Sequence, residues 1–226
     1  FRVKHGLGVE RLLPSAARRL EAALAPTVRL ALHIPTDHAV DPRAVVAALA
    51  ARVREAGVDV REHTPIGSLD ELEGEVVVAA GAWSAELLDV PVRPVKGQIL
   101  RLRDPAIGSH PPLLDRVLRF EGGYLVPRGD GRYVLGATVE EQGFDQTVTA
   151  GGVYELLRDA TELVPGISEL VIEESGAGLR PGTPGELPIV ERRARVHIAT
   201  GHFRNGILLA PVTAAQVVDE LTKVPA

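Results

Sequence analysis

Three segments of this 226-residue sequence combine polar side chains with the glycines and prolines that hold a chain in a fixed turn. In the first segment, Arg180 ends a predicted strand, and prolines and glycines follow it over 181–185. A rigid backbone would therefore present a guanidinium, whose two parallel N–H donors match the two oxygens of a carboxylate. This pattern predicts a carboxylate-binding arginine, although an ordinary surface turn would use the same residue types.

The second segment, 201–206, lies between a predicted strand and a predicted helix and contains Asn205, the only asparagine of the chain. Gly206 stands just before the helix, where the absence of a side chain lets a ligand approach the main chain. The N–H groups and partial positive charge of a helix N-terminus suit an anionic or electron-rich ligand edge. Glycine and asparagine also suit a plain turn, so the spacing alone leaves both interpretations open.

The third segment, 123–128, places Tyr124 at the start of a strand, where a tyrosine more often packs on a sheet than contacts a ligand.

Other candidate motifs do not match the sites that they resemble. The glycines in 6–11 resemble a dinucleotide-binding fingerprint, but Arg11 takes the third position, which must be small for helix and strand to pack. In 176–181 a proline takes that place. The seven histidines show no metal-ligand spacing, so no metal site is expected.

Composition restricts the partners and the chemistry. The formal net charge of −5 argues against a nucleic-acid partner or an anionic membrane. No apolar run approaches the ~20 residues of a membrane span, and a cytoplasmic location is expected. The absence of cysteine excludes disulfides, thiolate metal sites and a cysteinyl cofactor link. Among the 25 basic residues only Lys4, Lys96 and Lys223 are lysine, which we attribute first to codon bias.

Hydrophobic periodicity predicts α/β texture at both ends of the chain and an antiparallel sheet in the middle. The predicted helices are 7–27 with a break at Pro14, 41–57 with Asp41 as N-cap, 83–88, 149–164 and 207–223. The predicted strands are 28–34, 58–63, 75–80, 95–103, 117–121, 124–128, 132–138, 170–179 and 196–200. Gly129–Gly131, between two alternating runs, predicts a hairpin turn. The all-apolar run 75–80 is typical of a strand buried on both faces of a parallel sheet. We therefore expect 76–84 and 196–223 to pack together.

The predicted fold class is α+β or α/β, with a mainly antiparallel domain inserted into an incomplete α/β domain. The expected boundaries are 1–92 and 186–226 for the α/β domain and 93–185 for the antiparallel domain. They rest on the change of texture near Pro91 and the return after Pro188.

These segments together resemble the glycine oxidase and D-amino-acid oxidase family of FAD enzymes, and within it the glycine oxidases of thiamine biosynthesis. The most specific matches are GAGLRPGTP at 176–184 and GHFRNGILLAP at 201–211. Further matches are HAVDPRAVVAAL (38–49), EHTPI (62–66), VVVAAGAWS (76–84), PVKGQ (94–98), and GGYLVPR with GRYVLGATVE within 122–140. In order and spacing the resemblance runs from about His38 to Lys223. It implies an FAD-linked amine oxidase fold.

The resemblance also implies roles for individual residues. Arg180 matches the arginine that pairs with the substrate carboxylate, Tyr124 matches a tyrosine that hydrogen-bonds to it, and Arg204 matches a third residue at the substrate. Ile66 matches a main-chain contact to the adenine side of FAD. The segment expected to line the flavin comprises His202, Phe203, Arg204, Asn205, Gly206, Ile207 and Leu208. Val139 departs from the family pattern, because glycine oxidases have methionine there.

The activity that the resemblance implies is FAD-dependent oxidative deamination of a small amino acid. Hydride would pass from the substrate Cα to flavin N5, with oxygen as acceptor and peroxide as product. Two alternatives of the same fold stay open, namely a quinone-coupled amino-acid dehydrogenase and a sarcosine-oxidase-like enzyme. A catalytically inactive fragment is the third alternative.

The family's opening βαβ unit, which holds the FAD pyrophosphate, has no counterpart in the sequence. We therefore expect a fragment, a cleaved chain or a chain that another polypeptide complements. On its own it should bind FAD weakly and be inactive. The apolar strand 76–80 would then need a cover, either the chain's own residues 1–27 or another chain, so a homo-oligomer or a complementing chain is expected.

Overall fold

The computed structural model describes residues 3–6 and 8–222. Its strands are β1 (Glu10–Leu12), β2 (Ala31–His33), β3 (Val76–Val78), β4 (Arg93–Arg103), β5 (Leu118–Phe120), β6 (Gly123–Pro127), β7 (Arg132–Gly136), β8 (Val171–Gly182), β9 (Ile189–Arg193) and β10 (Val196–Thr200). Its α-helices are α1 (Pro14–Leu20), α2 (Pro42–Glu55), α3 (Ser84–Leu87), α4 (Ala150–Leu163) and α5 (Gly206–Thr222). Leu7 and Lys223, the ends of two predicted helices, lie outside the described residues.

The described residues divide into two compact units. The first unit falls within Phe1–Ala39, Gly97–Val139 and Gln146–Gly178, and the second within Val40–Lys96, Glu140–Asp145 and Leu179–Ala226. The N-terminal segment thus groups with the antiparallel sheet rather than with 40–96. The domain boundaries 1–92, 93–185 and 186–226 stay a prediction, whereas the mixed α/β architecture is confirmed.

The first unit holds most of a five-stranded sheet with the strand order β5-β6-β7-β4-β8. The strands β5, β6, β7 and β4 are antiparallel neighbours, as the Gly129–Gly131 hairpin signal predicts. The helix α4 contacts β6 and β7 and contributes buried Leu156 and Ala160. The core of this unit consists of buried apolar residues, namely Leu12, Ala17, Leu24, Leu100, Leu102, Leu114, Leu125, Tyr133, Leu135, Leu156, Ala160, Val164 and Ile167.

The prediction of helix over 7–27, with a break at Pro14, is correct for Pro14–Leu20 and wrong for the residues before the break. Residues 10–12 form β1, which pairs in antiparallel fashion with β2, and α1 begins only at Pro14. Proline suits the first turn of a helix, because the N–H that it lacks would have no partner there. Leu12, Ala17 and Leu24 pack in the core of the first unit.

The second unit contains a three-stranded sheet with the order β3-β10-β9. The strand β10 pairs in parallel with β3, with Val196 opposite Val76, which confirms the predicted association of 76–84 with 196–223. The strand β9, antiparallel to β10, was not predicted. Its sequence IVERR contains three charged residues, which are exposed, so it lacks an apolar pattern. The buried apolar residues here are few, and Val90, Val92 and Ile198 pack together in one small cluster.

Two predictions about the second unit are wrong. Residues 58–63 form no strand, because a strand needs a hydrogen-bonded neighbour and none of the described residues supplies one. The strand β3 is not buried on both faces, since Val77 is 43% exposed while Val76 and Val78 are buried. The helix α2 is capped by Asp41, as predicted, yet none of its residues is buried.

Candidate functional site

A cavity of about 500 Å³ lies in the second unit, where the carboxyl ends of β3 and β10 face the helix α5. In α/β sheets, ligands bind beyond the carboxyl ends of parallel strands, so this position favours a binding site. The lining is mostly small and apolar. The lining includes Gly81, Pro181, Thr200, His202, Gly206 and Thr213.

Hydrogen bonds between buried side chains hold together the two turns that leave β3 and β10. The Ser84 hydroxyl donates to Thr200 Oγ1 over 2.8 Å, and the Thr200 hydroxyl donates to the Gly81 carbonyl over 3.0 Å. Ser84 and Thr200 are both buried. Since a buried hydroxyl without a partner is costly, this chain of bonds fixes the rim of the cavity.

The loop 201–206 has a tightly constrained backbone. Gly201 has φ of +76°, and a Cβ built there would lie 2.5 Å from Thr183 Cγ2, so only glycine fits. Phe203 also has a positive φ, of 45°, and its N–H donates to the Pro181 carbonyl over 3.1 Å. The Asn205 N–H donates to the His202 carbonyl over 2.8 Å. This loop therefore has one defined conformation, and it delivers the chain to α5 at Gly206.

His202 links the loop to the helix. Its Nε2 atom lies 2.9 Å from Thr213 Oγ1, on the second turn of α5. Burial lowers the pKa of His202 below the ordinary 6.5, because a desolvated imidazole resists protonation. The imidazole is therefore neutral at neutral pH. The His202 side chain therefore adds no formal charge to the lining of the cavity.

Arg180 lies near the end of β8 and is half-buried. Its Nη1 atom donates to the Lys96 carbonyl over 3.3 Å. The next residue, Pro181, both lines the cavity and accepts the hydrogen bond from the loop residue Phe203. The predicted carboxylate arginine and the predicted flavin loop are thus connected within one unit, through a single main-chain hydrogen bond.

Tyr124 belongs to the first unit. It stands opposite Gly136 in the β6–β7 ladder. Its ring covers that glycine so closely that a Cβ built on Gly136 would lie 2.5 Å from the Tyr124 hydroxyl oxygen. The half-buried ring is therefore fixed by the sheet. Joint action of Tyr124 and Arg180 on one carboxylate stays a prediction.

The other predicted site residues are distributed unevenly around the cavity. His202 and Gly206 line it, whereas Phe203 is half-buried in the loop beside it. Arg204 and Asn205 are exposed, and Ile207 and Leu208 are 48% and 76% exposed. Ile66 is half-buried in the irregular segment that follows α2. Their functional roles stay predictions.

The sequence reasoning missed the face of α5 that closes the cavity. Ala210, Thr213, Ala214 and Val217 line it, and they recur at the spacing of one helix face. The signal was present, because three of these four side chains are small and the run follows the glycine-rich loop directly. Among the described residues there is no group of three or more histidine, aspartate or glutamate side chains placed to hold a metal ion. No helix of the described part is long and apolar enough to cross a membrane.

Comparison with known proteins identifies relatives over almost the whole chain. The sequence profile of the family described as FAD dependent oxidoreductase matches residues 1–220. The bifunctional protein ThiO/ThiG of Synechocystis sp. is 40% identical over 203 residues, which are 82% of this chain and 31% of that protein. The glycine oxidase of Bacillus licheniformis is 36% identical over 233 residues, which are 93% of this chain and 62% of that protein. The chain therefore spans less than two thirds of the length of these relatives.

Solved structures give the same result for the fold. The crystal structure of glycine oxidase from Geobacillus kaustophilus superposes with a TM-score of 0.89 at 34% identity, covering 99% of this chain and 66% of that chain. Glycine oxidase from Bacillus cereus superposes with a TM-score of 0.88 at 28% identity, covering 98% of this chain and 67% of that chain. The resemblance inferred from the motifs is confirmed, and the chain belongs to the family of FAD-dependent oxidoreductases.

Proposed function

We propose that this chain supplies the flavin-facing loop and the carboxylate-binding arginine of an FAD-dependent oxidase of small amino acids, of the glycine oxidase type. One observation carries the proposal, namely the hydrogen bond from the Phe203 N–H to the Pro181 carbonyl. Because Pro181 directly follows Arg180, this bond sets the distance between the predicted flavin loop and the predicted arginine. A fixed distance of this kind is what a reaction between a bound substrate and a bound cofactor requires.

The lining of the cavity fits the ring end of FAD. A Cβ built at Gly81 would meet nothing within 4 Å, and one built at Gly206 would meet only His202 Cβ at 4.0 Å. The main chain is therefore open to a flat ligand at both glycines. The N-terminus of α5 begins at Gly206, and its N–H groups would stabilise negative charge on the edge of a ring system.

The residues of this chain would bind and orient the substrate. The Arg180 guanidinium would pair with the amino-acid carboxylate, with Tyr124 as a second donor and Arg204 as a third residue near the substrate. The chemistry supplied by bound FAD is acceptance of a hydride from the substrate Cα, with oxygen as the final electron acceptor. Holding the substrate by its carboxylate would direct the Cα–H bond toward the flavin. Because Arg180 supplies the charged partner of that carboxylate, its loss should weaken substrate binding first.

A partner that covers the apolar surface of the second unit is part of the proposal. The strand β3 is an edge strand with Val77 exposed, and Leu208, Val212 and Val218 of α5 are more than half exposed. Exposed edge strands and apolar helix faces promote association. We propose that another copy or a complementing polypeptide covers this surface.

We also propose a cytoplasmic location, which cell fractionation would test.

The experiment is a peroxide assay on the complete flavin-containing protein, of which this chain is the proposed part, with glycine, sarcosine and several D-amino acids. We expect peroxide release that depends on the amino acid. Reduction of a quinone analogue without peroxide would assign a dehydrogenase instead, and preference for sarcosine would assign the sarcosine-oxidase alternative. A protein that contains flavin but oxidises none of these amines would contradict the proposal.

A further inference from the structure

Lys96 is a buried lysine that the sequence analysis did not connect with function. Its side chain is 1% exposed. Its Nζ atom lies 3.4 Å from Glu140 Oε2 and 3.3 Å from Asp145 Oδ2. Lysine is rarely buried to this extent unless a carboxylate pairs with it, because transfer of an ammonium out of water is costly. Lys96, Glu140 and Asp145 therefore form a charge cluster around a buried ammonium, and all three belong to the second unit.

The main chain of Lys96 connects this cluster to Arg180. The Lys96 N–H donates to the Glu140 carbonyl over 2.9 Å, and the Glu140 N–H donates to the Lys96 carbonyl over 3.0 Å. The same Lys96 carbonyl accepts the hydrogen bond from Arg180 Nη1. A Cβ built on Gly182 would lie 2.8 Å from Val95 Cγ2, so the chain around Arg180 packs tightly against the chain around Lys96.

The residue type at position 96 is unusual for this chain. Only 3 of its 25 lysine and arginine residues are lysine, and one of the three occupies this buried site. A compact ammonium can meet two carboxylates inside a small volume, whereas a guanidinium needs space for a planar fork. Both carboxylates keep some contact with water, at 23% and 48% exposure for the Glu140 and Asp145 side chains. The cluster thus anchors one end of β4 from inside the unit.

We propose that Lys96 is a positioning residue for substrate binding. Its ammonium, held by Glu140 and Asp145, fixes the carbonyl that orients the Arg180 guanidinium toward a carboxylate ligand. Lys96 does not touch the ligand, and it acts through Arg180. The inference rests on the proposed function, since it needs Arg180 to bind a carboxylate.

The test measures the dissociation constant of acetate, a carboxylate without an amine, by NMR titration of the flavin-loaded protein. Lys96→Met should raise this constant about tenfold, because the positioning of a binding group is lost. The control is Arg93→Met, which removes the exposed Arg93–Glu141 ion pair between the same two segments and should change the constant less than about twofold. Asp145→Asn keeps the ammonium and one carboxylate. It provides a milder variant if Lys96→Met folds poorly, and it should raise the constant about threefold.

A double-substitution cycle separates positioning from a general change of charge. In an Arg180→Lys background, Lys96→Met should change acetate binding less than about twofold, because the guanidinium that it orients is already gone. An equal effect of Lys96→Met in both backgrounds would show a long-range electrostatic effect and overturn the proposal. Unchanged acetate binding in both Lys96→Met and Asp145→Asn would overturn it as well. If Arg180→Lys itself leaves acetate binding unchanged, the proposed function is wrong rather than the role of Lys96 alone.

Discussion

The two units of this chain differ sharply in how they bury their apolar residues. Among the described residues, sixteen apolar residues are buried in the first unit and seven in the second. Thirteen of the sixteen pack in one cluster, whereas the cluster in the second unit has three buried members. The same contrast separates two helices of similar length. In α4 the residues Leu156 and Ala160 are buried, but in α5, which is more apolar, Thr213 is the only buried residue. The unit that carries the candidate site is thus the less completely packed one.

This difference teaches what an apolar pattern can and cannot specify. Periodicity determines which face of a helix will be buried when a partner is present, but it does not determine the partner. In α4 the partner is the sheet of the same unit. In α2 and α5 much of the apolar surface remains exposed, and for α5 we have proposed that another copy or a complementing polypeptide covers it.

The largest expected effect comes from leucine truncation in the first unit. Leu135 of β7 is fully buried, so Leu135→Ala should lower the free energy of unfolding by about 2–5 kcal/mol. The matched substitution Leu49→Ala in α2, where the side chain is 59% exposed, should change it by less than about 0.5 kcal/mol. Urea unfolding of the isolated chain measures both. Equal losses for the two variants would contradict the contrast between the units.

Repeating Leu49→Ala with a covering partner present sharpens the comparison. If a partner buries α2, Leu49→Ala should lower the free energy of unfolding, because truncation of a buried leucine leaves a cavity. A cost that stays near zero would show that the partner leaves α2 exposed.

Two adjacent glycines of α4 should respond with opposite signs. A Cβ at Gly152 would lie 2.4 Å from the Gln98 amide nitrogen, and the Gln98 side chain is buried and accepts from the Thr149 N–H. Gly152→Ala should therefore lower the free energy of unfolding by about 1–3 kcal/mol. The neighbour Gly151 is exposed, with nothing nearer than 4.0 Å, so Gly151→Ala should raise it by about 0.5 kcal/mol. Thermal unfolding of both variants checks the pair, and equal shifts would contradict the packing around Gln98.

The smallest expected effect is the contribution of His202 to the pH dependence of stability. Burial lowers the pKa of His202 in the folded chain, so below the ordinary value of 6.5 the unfolded chain binds more protons at this residue. The contribution of His202 to stability is therefore complete above that pH and is lost as the pH falls toward the lower folded-state pKa. His202→Gln can keep a hydrogen bond to Thr213 while removing the titration. Urea midpoints between pH 7.5 and 5.5 should fall less steeply for this variant, and parallel profiles would contradict the assignment.

Local sequence signals predicted much of the structure, and the errors share a cause. Asp41 was recognised as a helix cap and the 129–131 hairpin as a turn, because both depend on neighbouring residues. The prediction of a strand at 58–63 was wrong, because a strand needs a hydrogen-bonded neighbour that its own residues do not specify. The face of α5 that lines the cavity was missed, because alanines at helical spacing indicate a binding site only when the position of a cavity is known. The pairing of the buried Lys96 with Glu140 and Asp145 joins residues more than forty positions apart, which no local pattern reveals.

The most direct test of the central claim is the dependence of flavin reduction on amino-acid concentration, measured without oxygen for the wild type, Arg180→Ala and Arg180→Lys. Arg180→Ala should weaken binding of the amino acid by about 2–5 kcal/mol, because a desolvated carboxylate loses its charged partner. Arg180→Lys should recover only part of that loss, since the charge returns without the planar fork. A wild-type concentration dependence in the Arg180→Ala protein would contradict the assignment of Arg180 as the carboxylate-binding residue.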